Sequence, residues 1–278
     1  MHWQTTRFRI DLARPQVMGI VNLTPDSFSD GGLHADMAAA LRRFEPMVRE
    51  GADLLDLGAE STRPGSKPVS AADELARLLP VLDGALALGL PVSVDTHKPE
   101  VMAAALARGA DIINDINALQ SPGALDVVAA HPACGVCLMH MRGTPESMQT
   151  GPSYDADVVL EVSRFLGVRA RALEARGVAA ERIVLDPGIG FGKSVEHNLE
   201  LLRRQHELLA LGRPLLLGWS RKSTLGALTG RDVSQRLAAS LAAALAAVQR
   251  GARIVRVHDV APTVDALRVW RAAGLWNG

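Results

Sequence analysis

"LDPGIGFGKS", residues 185–194, holds three glycines and a Gly-Lys-Ser, the composition of a phosphate-cradling loop. Its spacing rejects that reading. A G-x-x-x-x-G-K-[ST] loop needs glycine five residues before Gly192, where Pro187 stands. The dinucleotide pattern G-x-G-x-x-G matches at Gly188 and Gly190, then needs glycine at Lys193. Pro187 also drives Asp186 out of the helical region, so Asp186 is expected to end an extended strand, "RIVLD". The stretch therefore predicts a strand that delivers a carboxylate to a glycine-rich turn.

The same strand-then-turn unit recurs on both sides of it. Apolar runs predict strands at "VMGIVN" (17–22), "LLDLGA" (54–59), "PVSVD" (91–95) and "DIIND" (111–115). Four more follow, at "GVCLMH" (135–140), "RIVLD" (182–186), "PLLLG" (214–218) and "RIVRVH" (253–258). Helical patterns such as "LARLLPVLDGALALG" separate them, most ending at a Gly before the next strand. "EGAD", "RGAD" and "RGAR" precede strands two, four and eight, as if one connection were reused. Eight βα units predict a (β/α)8 TIM barrel with a parallel eight-stranded sheet. An open doubly wound sheet would carry a glycine fingerprint after its first strand, and "NLTPDSFSDGG" is not one. Residues 1–15 are expected to form a short β-hairpin closing the bottom, and residues 1–278 a single domain.

Composition narrows the function. Thirty basic and thirty acidic residues cancel, so no global field recruits nucleic acid or an anionic membrane. The N-terminal "MHWQTTRFRIDLARP" lacks the apolar core of a signal peptide, and no run approaches membrane-spanning length, which predicts a cytoplasmic protein. Cys134 and Cys137 form a C-x-x-C without a second pair, and Cys137 falls within a strand; both are expected to be inert core residues.

Barrel enzymes place chemistry at the carboxyl ends of their strands. Here those ends hold Asn22, Asp95, Asn114, Met139, Asp186 and Gly218, with "SRKS" following Gly218, while Arg256 and His258 point to one side of strand eight. Asp95, Asn114 and Asp186 offer acceptors and an amide donor suited to a planar heterocycle. Arg63, Lys222, Arg256 and His258 suit an anionic leaving group such as a phosphate ester. No Ser-His-Asp arrangement is evident.

These blocks carry a resemblance. "MGIVNLTPDSFSDGG" (18–32), "DLGAESTRPGS" (56–66), "SVDTHKPEV" (93–101) and "INDINAL" (113–119) occur in order. "MHMRGTPESMQ" (139–149), "LDPGIGFGKSVEHNLELL" (185–202), "GWSRKS" (218–223) and "RVHDV" (256–260) complete the set. The chain resembles the dihydropteroate synthase family across nearly its whole length. That resemblance implies condensation of 6-hydroxymethyl-7,8-dihydropterin diphosphate with 4-aminobenzoate in folate biosynthesis, by an S_N1-like path. It also implies a Mg2+ requirement and a homodimer.

Carried over residue by residue, Asp95, Asn114, Met139, Asp186, Phe191, Gly218 and Lys222 would contact the pterin. Asn22 would be the metal contact, and Asn22, Thr62, Arg63, Arg256 and His258 would hold the diphosphate. Phe28, Arg63, Pro64, Phe191, Ser220 and Lys222 would border the aminobenzoate. Arg63, Lys222, Arg256 and His258 would be catalytic, and loops 22–34 (with Asp26 and Phe28) and 60–70 would close over the diphosphate. A corrinoid-linked pterin methyltransferase would have no diphosphate to hold and no reason to keep "SRKS" or the Arg-x-His. A non-catalytic pterin-binding paralogue is opposed by the intact charged set.

Other residues invite plainer readings. His97 and His140 are expected to be hydrogen-bonded loop residues, and His197 a capping-region residue next to the N-cap Ser194. Asp56 should sit in a structural network. Lys193 is expected on a solvated turn, and segment 237–248 to be helix packing whose apolar face reaches a dimer partner.

Overall fold

The structure, a computed structural model, describes residues 1–23, 42, 44–58, 60, 69–144, 148, 154 and 157–276. A two-stranded antiparallel hairpin, β1 (His2–Gln4) and β2 (Arg9–Asp11), comes first, in register Trp3 opposite Ile10. The parallel strands are β3 (Gln16–Asn22), β4 (Leu54–Gly58), β5 (Val92–Asp95) and β6 (Ile112–Asp115), then β7 (Gly135–Met139), β8 (Ile183–Asp186), β9 (Leu215–Leu217) and β10 (Ala252–Val257). They pair in chain order, and β10 closes on β3 to complete a (β/α)8 barrel. Gly218 and His258 fall one residue beyond their strands rather than within them.

The reused connection has a clear cause. Gly51, Gly109 and Gly251 take φ of +95°, +101° and +97°, the left-handed region that ends a helix without a Cβ clash. Each donates its N–H to the carbonyl three residues back. Two residues later, Asp53 accepts from the Val17 N–H and Asp111 from the Val92 N–H, so each carboxylate pins the first turn of the neighbouring strand.

Side chains alternate along a strand, so the barrel interior is built in layers. The lower layer is apolar: Met18, Leu54, Ile112, Cys137, Val184, Leu216 and Ile254 cluster with Trp3, Ile10 and Leu12 of the hairpin. Trp3 is fully buried and its indole N–H donates to the Arg182 carbonyl at 2.9 Å. The hairpin closes the bottom as expected. Both cysteines are buried, free and inside the fold, as read from the sequence.

Two residues further along four of these strands the interior turns polar. Leu54 is followed by Asp56, Ile112 by Asn114, Val184 by Asp186 and Ile254 by Arg256. Residues of this layer form the floor of the site.

Candidate active site

A cavity of about 550 Å³ opens at the carboxyl ends of the strands. Asn22, Asp95, Asn114, Met139, Asp186, Phe191, Gly218, Ser220, Lys222, Arg256 and His258 all line it. Every expected site residue that the structure describes is therefore gathered in one place. Thr62, Arg63, Pro64, Phe28 and Asp26 lie outside the described residues.

The floor is an ionic network. Arg256 donates from Nε to Asp56 at 2.6 Å and from Nη2 to Asp95 at 2.8 Å. Asn114 donates to the same Asp56 oxygen at 3.2 Å. Asp56 thus does sit in a structural network, and that network is the base of the cavity. Burial works against the charge on Arg256, but the Asp56 and Asp95 carboxylates outweigh it and hold the guanidinium firmly protonated. Burial also pushes the Asp95 carboxyl up, with Arg256 pulling it back. One oxygen of Asp56 and one of Asp95 are buried without a hydrogen-bond partner. Such atoms are costly unless a ligand or water meets them; Asp95 lines the cavity, where a polar guest would lie, and Asp56 is enclosed beneath it.

Asp186 ends β8 and is held by its own turn, its Oδ1 accepting from the Gly188 N–H at 2.7 Å. Burial raises its carboxyl to about 6 despite that bond. Across the cavity, burial and then the Arg256 charge lower Lys222 to about 8. The Lys222 ammonium stands 4.0 Å over the Phe191 ring, a cation–π contact. Phe191 belongs to a small apolar group with Ile116, Met139 and Met148, which gives the cavity one greasy wall. His258 is fixed by Ser220, whose Oγ lies 3.0 Å from Nδ1 and accepts the His258 backbone N–H at 3.2 Å.

One expectation fails. Lys193 is not on a solvated turn; it is 2% exposed, its Nζ within 3.2 Å of His140 Nδ1 and of the carbonyls of His140, Gly188 and Phe191. His140, just past the end of β7, is a hydrogen-bonded loop residue as expected, and it is buried as the partner of Lys193. Burial, then the Lys193 charge, lower its imidazole to about 2, so the ring is neutral. The plainer readings of Ser194 and His197 hold: they form a reciprocal capping box at the start of helix 195–203.

Sequence reasoning missed Ile20, Ile116, Met148, Glu60 and Arg221, all of which line the cavity. The strand period could have found Ile20, two before Asn22, and Ile116, two after Asn114. No sequence signal marks Glu60. Its carboxylate accepts from the Val69 N–H at 2.9 Å and pairs with Lys98 at 2.5 Å, a residue 38 positions away.

Residues 18–258 match the family described as pterin binding enzyme. The chain is 52% identical to the dihydropteroate synthase of Neisseria meningitidis serogroup B, covering 98% of each chain. Among solved structures it resembles Burkholderia cenocepacia dihydropteroate synthase complexed with 7,8-dihydropteroate (52% identity, TM-score 0.88, 98% and 96% of the two chains). It equally resembles the Xanthomonas albilineans enzyme with 4-aminobenzoic acid (51% identity, TM-score 0.90, 99% of both chains).

Proposed function

The chain belongs to the dihydropteroate synthase family of pterin-binding enzymes, and from that premise we propose that it joins 6-hydroxymethyl-7,8-dihydropterin diphosphate to 4-aminobenzoate, with the cavity residues in the following roles. The observation that carries the reading is the convergence of Asp95, Asn114, Asp186 and Lys222 on one cavity with an apolar wall of Met139 and Phe191. A flat bicycle with N–H and amino edges satisfies those acceptors while its faces meet the wall. Leaving such a buried polar group unpaired costs about 1–3 kcal/mol, so the set selects a pterin over an apolar ring. Asp186 accepts from the 2-amino group and the neighbouring ring N–H, and Asn114 and Asp95 take the opposite edge; Gly218 leaves room beside the ring.

Arg256 and His258 hold the diphosphate, together with Thr62 and Arg63. Of the five N–H groups of a guanidinium, the bonds to Asp56 and Asp95 engage only two, so Arg256 retains donors for the leaving group. Phe191, Lys222 and Ser220, with Phe28, Arg63 and Pro64, border the aminobenzoate, whose carboxylate lies near Ser220.

Among the described residues no three His, Cys, Asp or Glu side chains gather to cage a metal. The half-buried Asn22 amide at the cavity mouth is a single hard oxygen ligand. That donor fits Mg2+, which keeps waters and prefers phosphate oxygens; Asn22 would hold the ion beside the diphosphate. When bound it supplies charge neutralisation on the leaving group. Arg256, His258, Lys222 and Arg63 add preorganised donors to the same charge. The C–O bond breaks with its electron pair leaving on diphosphate, and the dihydropterin ring delocalises the resulting methylene cation. The neutral aromatic amine then attacks that carbon and loses a proton, which explains why no catalytic dyad is needed.

The same proposal includes a cytoplasmic homodimer. Helix 237–249 is built almost wholly of Ala and Leu and leaves Leu237 exposed, consistent with cover by a second copy; light scattering on the purified protein tests the mass. Catalysis is tested by supplying the pterin diphosphate, Mg2+ and 4-aminobenzoate and following diphosphate and dihydropteroate together. The expected result is one of each per turnover. Diphosphate release without the coupled product overturns the synthase reading.

A further inference from the structure

Lys193 has no place in the chemistry above, yet its burial is one of the least expected features of the molecule. Desolvating an ammonium costs several kcal/mol, and among the described residues no carboxylate lies within hydrogen-bonding distance to compensate. Its partners are instead four lone pairs: the Gly188 carbonyl at 2.9 Å, the Phe191 carbonyl at 3.1 Å, the His140 carbonyl at 3.2 Å and His140 Nδ1 at 2.9 Å. Burial lowers Lys193 to about 7, the Asp186 charge partly opposing it.

The geometry of the turn explains why a donor is required there. Gly188 and Gly192 take φ of +69° and +64°, which folds the chain so that its carbonyls converge inward. The turn is pressed onto the segment after β7: a Cβ on Gly188 would lie 1.9 Å from the His140 carbonyl oxygen, and one on Gly192 2.2 Å from that of Arg142. Three carbonyl oxygens, of His140, Gly188 and Phe191, all lie within 3.2 Å of one point, and oxygens gathered so repel unless a donor sits among them. Lys193 places its Nζ among the Gly188, Phe191 and His140 oxygens and so joins the β7 and β8 connections.

Phe191 lies inside this clamp and supplies one of the bonded carbonyls. Its ring carries the Lys222 ammonium at 4.0 Å, and a Cβ on Gly190 would touch Lys222 Cδ at 3.1 Å. The placement of the turn thus sets the placement of Lys222. We propose that Lys193 is a positioning residue, whose ammonium clamps the Gly188–Gly192 turn against His140 and thereby holds Phe191 and Lys222 as the aminobenzoate wall.

The inference rests on the assignment of Phe191 and Lys222 to that wall, and the test separates the two. K193M removes every donor while keeping the volume; K193Q restores two N–H donors on a shorter arm. The expected result for K193M is a KM for 4-aminobenzoate raised about tenfold, the scale of one or two lost buried hydrogen bonds, with smaller changes in kcat and the pterin KM, which share Phe191 and Lys222. K193Q should fall between, with that KM raised about threefold and kcat changed by less. A purely structural lysine would lower the melting temperature and the amount of active enzyme but leave KM alone, and that outcome overturns the proposal. F191A is run beside them. If F191A raises the aminobenzoate KM and K193M does not, the positioning role fails; if F191A does not raise it, the wall assignment fails instead. Should K193M not fold, K193Q decides: a raised KM supports the clamp, and an unchanged one removes it.

Discussion

The two ends of the barrel interior differ in what they bury. At the bottom, Trp3, Met18, Leu54, Ile112, Val184 and Ile254 pack without a charge among them. Two residues up the same strands, Asp56, Asn114 and Asp186 are nearly as buried, Arg256 is partly so, and carboxylate oxygens of Asp56 and Asp95 find no partner. The bottom is finished by its own hairpin. The top is completed only by something that brings donors. One barrel thus separates stability from function along its axis, and a substitution should report on whichever end it touches.

Four measurements would break or sharpen that contrast. W3A should have the largest effect, lowering the urea-measured unfolding free energy by about 3–5 kcal/mol as a large core cavity opens, with kcat per folded molecule unchanged. A changed kcat would mean the ends are coupled. R256A should lower kcat on the order of 1000-fold while raising the pterin KM less than tenfold, because its contribution grows as charge builds on the leaving group; equal losses in steady-state kinetics would count against this role.

D186N should lower kcat/KM for the pterin substrate on the order of 100-fold, since an amide nitrogen cannot accept the two hydrogen bonds a carboxylate does. The wild type supplies the matching pH test. Because burial raises Asp186 to about 6, its acceptor is lost as pH falls through that value, so kcat/KM should decline on the acid side with a midpoint near 6. In D186N that limb should flatten. The smallest effect belongs to N22A, which should raise the Mg2+ concentration for half-maximal rate by about tenfold or less, because most of the ion's oxygens come from phosphate and water. Abolished metal response would point to a fuller protein site than the described residues provide.

Much of this was legible in the chain. The eight strands were readable because each is a short apolar run before a turn, and Pro187 fixes where one of them stops. The polar ring at the mouth was readable because barrel topology brings all strand ends to one rim, so Asp95, Asn114 and Asp186 needed no contact map. The Asp56–Arg256 pair was not readable: 200 residues separate the partners, and only closure of β10 against β3 sets them across the interior. Lys193 was misread for a related reason. A lysine beside three glycines has every local mark of a solvated turn, and its burial depends on a carbonyl from residue 140, on another strand's connection.

Local sequence alone decided which residues form strands, where they stop and which polar groups reach the open end, because those properties follow from the two-residue strand period and from the backbone limits of proline and glycine. Tertiary structure alone decided which charges neutralise one another and which lysine is buried. Those outcomes turn on distances of a few ångströms between segments brought together by ring closure, and electrostatic free energy in a low-dielectric interior is set by such distances rather than by neighbours along the chain.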